Sequence, residues 1–279
     1  MSLSKNTRAL IHRAWREDAP RGDITAKFFG DKRKIISGKI IAKAGGVVCG
    51  LEIAAYCFRR ADFQTKFSDG AKIKKGAVLA KVQGRLNDIL LAERVALNFL
   101  QHLSGVATET HKLAARLKSA KVKLLDTRKT TPLLRELEKY AVRCGGGQNH
   151  RFNLSERVLI KENHLAGLKL SDLQKRIKRF RFWRKNKKIE IEAATLRQVK
   201  DFLALPVDII LLDNMSAAAI KKAAALRAKL NPRIRLEISG GVSEKNIAAL
   251  AKLGADYISC GKITHSAPAL DVSLLLDAR

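Results

Sequence analysis

The spacing of apolar residues changes along this chain, and the changes divide it. Over residues 5 to 20, Leu10, Ile11, Ala14 and Trp15 share one helical face. The stretch 17 to 25, EDAPRGDIT, breaks that helix. Residues 34 to 50, KIISGKIIAKAGGVVCG, alternate apolar and polar and predict antiparallel strands joined near Gly45 and Gly46. A helix over 51 to 60 follows, then further strands with turns at Asp69-Gly70, Lys75-Gly76 and Gly84. Short strands under one covering helix form a small α+β sandwich. From Asn87 the period becomes helical through Ile89, Leu90, Ala92, Val95, Ala96, Phe99, Leu100 and Leu103. A second long helix is expected from there to about residue 121.

Beyond that point apolar runs alternate with helical patterns. Leu124-Leu125 ends in Asp126, and an amphipathic stretch with a glycine loop, Gly145 to Gly147, leads to the run 158 to 160, which ends in Lys161. The runs 189 to 192, 209 to 212, 235 to 238 and 257 to 259 end before Ala193, Asp213, Ser239 and Cys260. Helical patterns over 194 to 204, 216 to 229 and 243 to 253 separate them. Repeated βα units imply an α/β protein with a parallel sheet, in a barrel or an open doubly wound form. Six strand endings fall short of a complete barrel.

Composition narrows this picture little. With 279 residues and 46% hydrophobic composition, the chain has room for a buried core. No run approaches the roughly 20 apolar residues of a membrane span, and the first residues lack a signal-peptide core. Cys49, Cys57, Cys144 and Cys260 form no ligand spacing, so free thiols in a reducing cytoplasm are expected. Cys144, beside the glycine loop, reads as a buried small hydrophobe.

The formal charge of +29 changes more. Its densest run, KRIKRFRFWRKNKK at 175 to 188, interleaves Phe180, Phe182 and Trp183 with nine basic residues. That composition fits a nucleic-acid patch. The favoured reading is a solvated helix and loop between two strands with the aromatics turned to the core, because lysine is scattered through the rest of the chain as well.

Charge at the strand ends is more informative. Side chains two apart on a strand share a face. One face then takes Asp126, Arg128, Lys161, Glu192, Asp213, Glu237 and Ser239, with Glu190 pointing as Glu192 does. Charges of both signs at the carboxyl end of a barrel describe an anion-binding site. Ser239-Gly240-Gly241, before a helix starting near Ser243, offers backbone amides to a phosphate, and Gly261 after the next strand completes the cup. No nucleophile stands beside a base and no metal-ligand spacing occurs, so electrostatic catalysis is the remaining class.

Three motifs carry a family resemblance: Thr-Arg-Lys-Thr-Thr-Pro at 127 to 132, Gly-Gly-Gly-Gln-Asn-His-Arg at 145 to 151, and Leu-Ile-Lys-Glu-Asn-His at 159 to 164. The chain resembles the quinolinate phosphoribosyltransferases over nearly its whole length. Gly-Asp-x-Thr at 22 to 25, Ala-Glu-Arg followed by Ala-Leu-Asn at 92 to 98, and the tail from Thr264 to Asp271 match as well. The resemblance implies an incomplete parallel α/β barrel over 106–265, preceded by an open-faced α+β sandwich over 1–105 on which the tail 266–279 packs. It implies phosphoribosyl transfer from phosphoribosyl pyrophosphate to quinolinate with decarboxylation, for de novo NAD synthesis, with Mg2+, in a cytoplasmic homodimer. Arg94 of a partner subunit, Arg128, His150, Arg151 and Lys161 would hold the quinolinate carboxylates. Thr127 and Lys129 would line the pocket, with Lys129 also meeting the pyrophosphate. Glu192 and Asp213 would meet the ribose hydroxyls and the Mg2+ that accompanies the donor, no metal being fixed by protein alone. Ser239, Gly240, Gly241 and Gly261 would hold the 5'-phosphate. Lys129, Glu192 and Asp213 are the expected catalytic groups.

Two departures stand out: Leu133 replaces a usual glycine after Thr-Thr-Pro, and Ile238 a usual small residue. One rival is a molybdate-linked pyrophosphorylase-like homologue with another acceptor, against which Lys161 argues. The other is an added nucleic-acid role for 175 to 188, with nucleic acid and membranes not expected as partners.

Overall fold

A computed structural model describes residues 3–31, 33–117 and 120–277. In chain order the elements are α1 (Lys5–Asp18), α2 (Ile24–Phe29), β1 (Ile35–Ala42), β2 (Gly46–Val47), α3 (Leu51–Cys57), β3 (Asp62–Gln64), β4 (Lys72–Ile73), β5 (Val78–Arg85), α4 (Leu86–Ala115), β6 (Lys123–Leu125) and α5 (Arg135–Cys144). Then come β7 (Val158–Ile160), α6 (Glu162–Leu165), α7 (Leu170–Trp183), β8 (Ile189–Ala193), α8 (Leu196–Leu203), β9 (Ile209–Asp213), α9 (Ala217–Leu230), β10 (Arg235–Ser239), α10 (Ile247–Leu250), β11 (Tyr257–Ser259), α11 (Lys262–His265) and β12 (Val272–Leu276). They fall into two compact units. The first takes the chain up to His111, Thr130–Gly146 and the chain from Lys262; the second takes Lys112–Lys129 and Gly147–Gly261.

The first unit is an antiparallel sheet in the order β12-β1-β5-β3, with a separate β2-β4 pair. The sequence expectation that strands within 34 to 50 pair across Gly45-Gly46 is corrected. β1 pairs with β5 and β12, while β2 turns away to β4. The break at 17 to 25 contains a helix of its own, α2, because the Asp23 side chain accepts from the Ala26 N–H at 3.0 Å and caps it. The two helices expected on either side of Leu103 are one, α4, of 30 residues. Gly105 does not end it. A Cβ there would lie 2.2 Å from the Pro268 carbonyl oxygen, so glycine lets the returning tail close on the helix. One position earlier, the fully buried Ser104 hydroxyl accepts from the Cys49 N–H at 2.9 Å. All four cysteines are free thiols, and Cys144, expected to be buried, is half-buried.

The second unit is a six-stranded parallel sheet in the order β6-β11-β10-β9-β8-β7. It is a barrel left open between β6 and β7, as the count of strand endings implied. Strands whose two faces are both covered are almost continuously apolar, as Ile209 to Leu212 in β9 shows with four buried residues in a row. Helix starts follow local chemistry. Thr195 and Gln198 form a capping box on α8, and Ser216 caps α9. α7 buries Leu173 and Ile177, and the loop after it leads to β8. Its aromatics do not all turn inward as expected. Phe182 and Trp183 are 72% and 71% exposed, because they occupy the face opposite Leu173 and Ile177. Among the described residues no helix is long and apolar enough to cross a membrane.

Candidate active site

Parallel strands deliver all six of their carboxyl ends to one end of the second unit. β6 runs into Asp126, which is fully buried. Its carboxylate accepts from the Asn149 side-chain amide at 2.6 Å and from the His150 N–H at 2.8 Å. The segment after the glycine loop is thereby stitched along β6: the Gln148 N–H donates to the Leu124 carbonyl, and the Asp126 N–H to the Gln148 carbonyl. Residues distant in sequence, 126 and 150, are fixed side by side. Thr127 and Arg128 follow half-buried and Lys129 exposed, with the Lys129 N–H donating to the Thr127 hydroxyl at 3.0 Å.

Arg151 is buried, and its Nη1 donates to the Arg157 carbonyl at 3.0 Å. Burial, then the charge of Arg128, weakens the hold of its guanidinium on its proton. Two guanidinium groups brought this close are what an anionic ligand would relieve. At the mouth β7 ends in Lys161, whose Nζ lies 2.8 Å from the carboxylate of Glu192 at the end of β8. The next pair is set by register: Asp213 at the end of β9 stands beside Ser239 at the end of β10. Asn214, at φ 50°, donates its side-chain amide to Asp213 at 3.0 Å. A Cβ on Gly240 would come within 2.0 Å of the Asn214 side-chain oxygen, so only glycine admits this packing. Gly241 also has positive φ, and its Cβ position meets nothing within 4 Å, so its backbone borders open space. Gly261 follows β11 at the same end.

The structure thus gathers Thr127, Arg128, Lys129, His150, Arg151, Lys161, Glu192, Asp213, Ser239, Gly240, Gly241 and Gly261 on the carboxyl side of one sheet. Arg94 lies elsewhere, exposed on α4 in the first unit. One expectation needs correction. The helix after Ser239-Gly240-Gly241 does not start near Ser243; α10 covers only Ile247–Leu250. Asn246 explains the delay, accepting from the Ser243 N–H at 2.8 Å and donating to the Gly241 carbonyl at 2.9 Å, which holds the intervening chain as a turn. Any phosphate binding there falls to loop amides, without a helix dipole of useful length behind them. Leu133 adopts φ 66°, a left-handed conformation that glycine takes freely and that costs about 1–2 kcal/mol for a side-chain-bearing residue.

Below the mouth lies a set that sequence reasoning only half found. Glu190 and Glu237 are fully buried on β8 and β10. His150 Nε2 is 3.0 Å from Glu190 and 3.7 Å from Glu237, and Arg157 Nη1 is 3.4 Å from Glu190. Strand parity gave the direction of both glutamates; it gave no role to Glu190, and Arg157 carried no signal at all.

The chain as a whole is similar to known proteins. Residues 23–104 match the family model "Quinolinate phosphoribosyl transferase, N-terminal domain", and residues 106–275 match the corresponding C-terminal domain. The nicotinate-nucleotide pyrophosphorylase [carboxylating] of Mycobacterium leprae is 36% identical over 274 residues, covering 96% of both chains. A probable enzyme of the same name from Bacillus subtilis is 37% identical over 95% of this chain and 91% of its own. Among solved structures, a nicotinate-nucleotide pyrophosphorylase from Francisella tularensis superposes with a TM-score of 0.90 at 36% identity, over 96% of this chain and 95% of that one. NadC from Streptococcus pyogenes gives 0.88 at 38% identity over 97% of each. Both domains are matched, in order and over almost their full length, and the chain belongs to the quinolinate phosphoribosyltransferase family.

Proposed function

We propose that this enzyme joins quinolinate to phosphoribosyl pyrophosphate and releases carbon dioxide, giving nicotinate mononucleotide and pyrophosphate for NAD biosynthesis. The observation that carries the reading is the mixed charge at the barrel mouth, with Lys161 held 2.8 Å from Glu192 and the buried Arg151 at the same carboxyl end of the sheet. Both substrates are polyanions and repel each other. Arg128, Arg151 and Lys161 offset that repulsion and hold the quinolinate carboxylates, so the pyridine nitrogen is presented to the sugar carbon. As pyrophosphate departs, positive charge grows on the ribose, and the carboxylates of Glu192 and Asp213 stabilise it. Lys129 meets the charge gathering on the leaving group. Bond formation makes the pyridine nitrogen cationic, which stabilises the electron pair left on the ring when the 2-carboxylate departs as carbon dioxide, and a proton from solvent then takes the place of the carboxylate. Amides of the Ser239-Gly240-Gly241 turn and of Gly261 hold the 5'-phosphate.

Glu192 and Asp213 offer hard carboxylate oxygens of the kind that would hold Mg2+, which would offset the charge of the pyrophosphate. Arg94, exposed on its own unit, reaches quinolinate from a second copy in a homodimer. The working compartment is the cytoplasm. The test is release of labelled carbon dioxide from carboxyl-labelled quinolinate. Release that depends on phosphoribosyl pyrophosphate and Mg2+ is expected, and its absence with both present would remove this function. Mixing Arg94→Ala with Lys161→Ala enzyme should restore activity that neither has alone; no restoration would refute the shared site.

A further inference from the structure

We propose that Glu190 and Glu237 are positioning residues that lock the His150 ring with its proton on Nε2 and thereby aim Arg151, so that His150 supports the anion pocket instead of touching the substrate. The proposal rests on the role given above to Arg151 as a carboxylate binder.

His150 has little left to offer a ligand. Its ring is 7% exposed, and its own N–H is held by Asp126. Nδ1 accepts the Arg151 N–H at 2.7 Å, so Nδ1 carries no proton. The ring proton then sits on Nε2 and is donated to Glu190 at 3.0 Å. Both nitrogens are committed, one to each side of a chain that runs from Glu190 through the ring to the Arg151 backbone. A second route starts from the same carboxylate. Arg157 reaches Glu190 at 3.4 Å and accepts the Arg151 guanidinium on its carbonyl at 3.0 Å. Glu190 therefore fixes Arg151 at both its main chain and its side chain.

Glu237 explains how two acids tolerate burial together. Both of its oxygens, and the second oxygen of Glu190, are buried without a hydrogen-bond partner. Two buried carboxyl groups within 4.8 Å of each other are satisfied by one shared proton. Burial and the neighbouring Glu190 charge push the Glu237 carboxyl well above the usual range. Glu237 is thus the acid that keeps the proton and donates it to Glu190. The donor atoms of His150, Glu190 and Glu237 lie within 4.8 Å of one another, a spacing that a metal ion also accepts. Here the direct histidine–glutamate hydrogen bond and the Arg157 guanidinium already supply what a cation would.

The test uses the intact enzyme labelled with 15N-histidine, together with steady-state kinetics. The His150 resonance, assigned by its loss in His150→Gln, should report the Nε2–H form. Glu190→Gln should raise KM for quinolinate about tenfold or more, the loss of one charge-assisted hydrogen bond, with a smaller change in KM for phosphoribosyl pyrophosphate. Glu237→Leu should do the same, and Glu237→Gln, whose amide still donates to Glu190, should restore most of the loss. An Nδ1–H ring, or unchanged KM for quinolinate in folded Glu190→Gln and Glu237→Leu, overturns the proposal. So does stoichiometric Zn2+ in the purified enzyme that disappears in Glu237→Leu. Should Glu190→Gln fail to fold, the ring tautomer and the two Glu237 variants decide. If wild-type enzyme releases no carbon dioxide, the assigned reaction fails, and the resonance of His150 still decides whether the ring is locked.

Discussion

The barrel unit carries charge in two places, on opposite terms. Inside, Asp126, His150, Arg151, Glu190 and Glu237 are each less than a tenth exposed, and each is held by hydrogen bonds or by the Arg157–Glu190 ion pair and its neighbours. Outside, residues 175 to 188 hold nine basic residues and no acid. Among the described residues only Lys175 and Arg181 of that run pair with carboxylates, Asp172 and Asp208. An ionised group withdrawn from water persists only with a partner, so every interior member constrains the others. Water supplies the partner for most of that surface, where only the side chains of Arg181 and Lys187 among the described residues also donate to backbone carbonyls. The lesson is that density of one sign draws the eye, whereas a mixture of signs on alternate strand positions locates the chemistry.

Four experiments bear on that contrast. The largest effect is expected at the mouth. Lys161→Ala or Arg151→Ala should lower kcat/KM roughly 10²–10³-fold, the scale of losing one electrostatic stabiliser, with circular dichroism unchanged for Lys161→Ala. Activity near wild type in either would erase the distinction between the two charge sets. Glu190→Ala leaves His150 and Arg157 without their common acceptor and should cost about 3–5 kcal/mol in urea unfolding. A cost below about 1 kcal/mol would show the interior to be as forgiving as the surface. The third experiment depends on pH. Because Glu237 is raised when folded, the folded chain keeps a proton that the unfolded chain releases above about pH 4.3. Its contribution is complete below that pH and is lost as pH climbs toward the folded value. Glu237→Gln lacks this slope, so its stability relative to wild type should improve steadily across that window; a flat difference would contradict the shared proton. The smallest effect is expected outside: Lys178→Glu with Arg179→Glu should shift stability by under about 0.5 kcal/mol and leave turnover unaltered. A larger loss of turnover would give the surface run a part in catalysis.

Periodicity made much of this molecule legible. The six barrel strands were visible because each is a short apolar run set off from helical patterns, and four of them stop at a polar or charged residue, at Asp126, Lys161, Asp213 and Ser239. Mouth residues followed from parity and motif. What stayed hidden depends on long-range pairing. Nothing local says that β1 passes over β2 for β5 and β12, since short alternating strands pair equally well with several partners. α10 is short because of two hydrogen bonds from one asparagine, which no helical pattern records. Arg157 matters through a carboxylate 33 positions away, and Glu190 through a ring on the loop before β7. The aromatics of α7 were misplaced inward because apolar character alone does not say which face of a helix meets the core.

β12 closes one edge of the sheet by pairing with β1 along Gly38 to Ala42. A ribosome makes that strand only after the entire barrel has emerged. Throughout translation of the barrel, the nascent chain therefore presents β1 with a bare flank, open to a strand of another unfinished polypeptide. The vulnerable period in the life of this protein falls during its synthesis, and it ends when the last-made strand arrives to seal the first-made sheet.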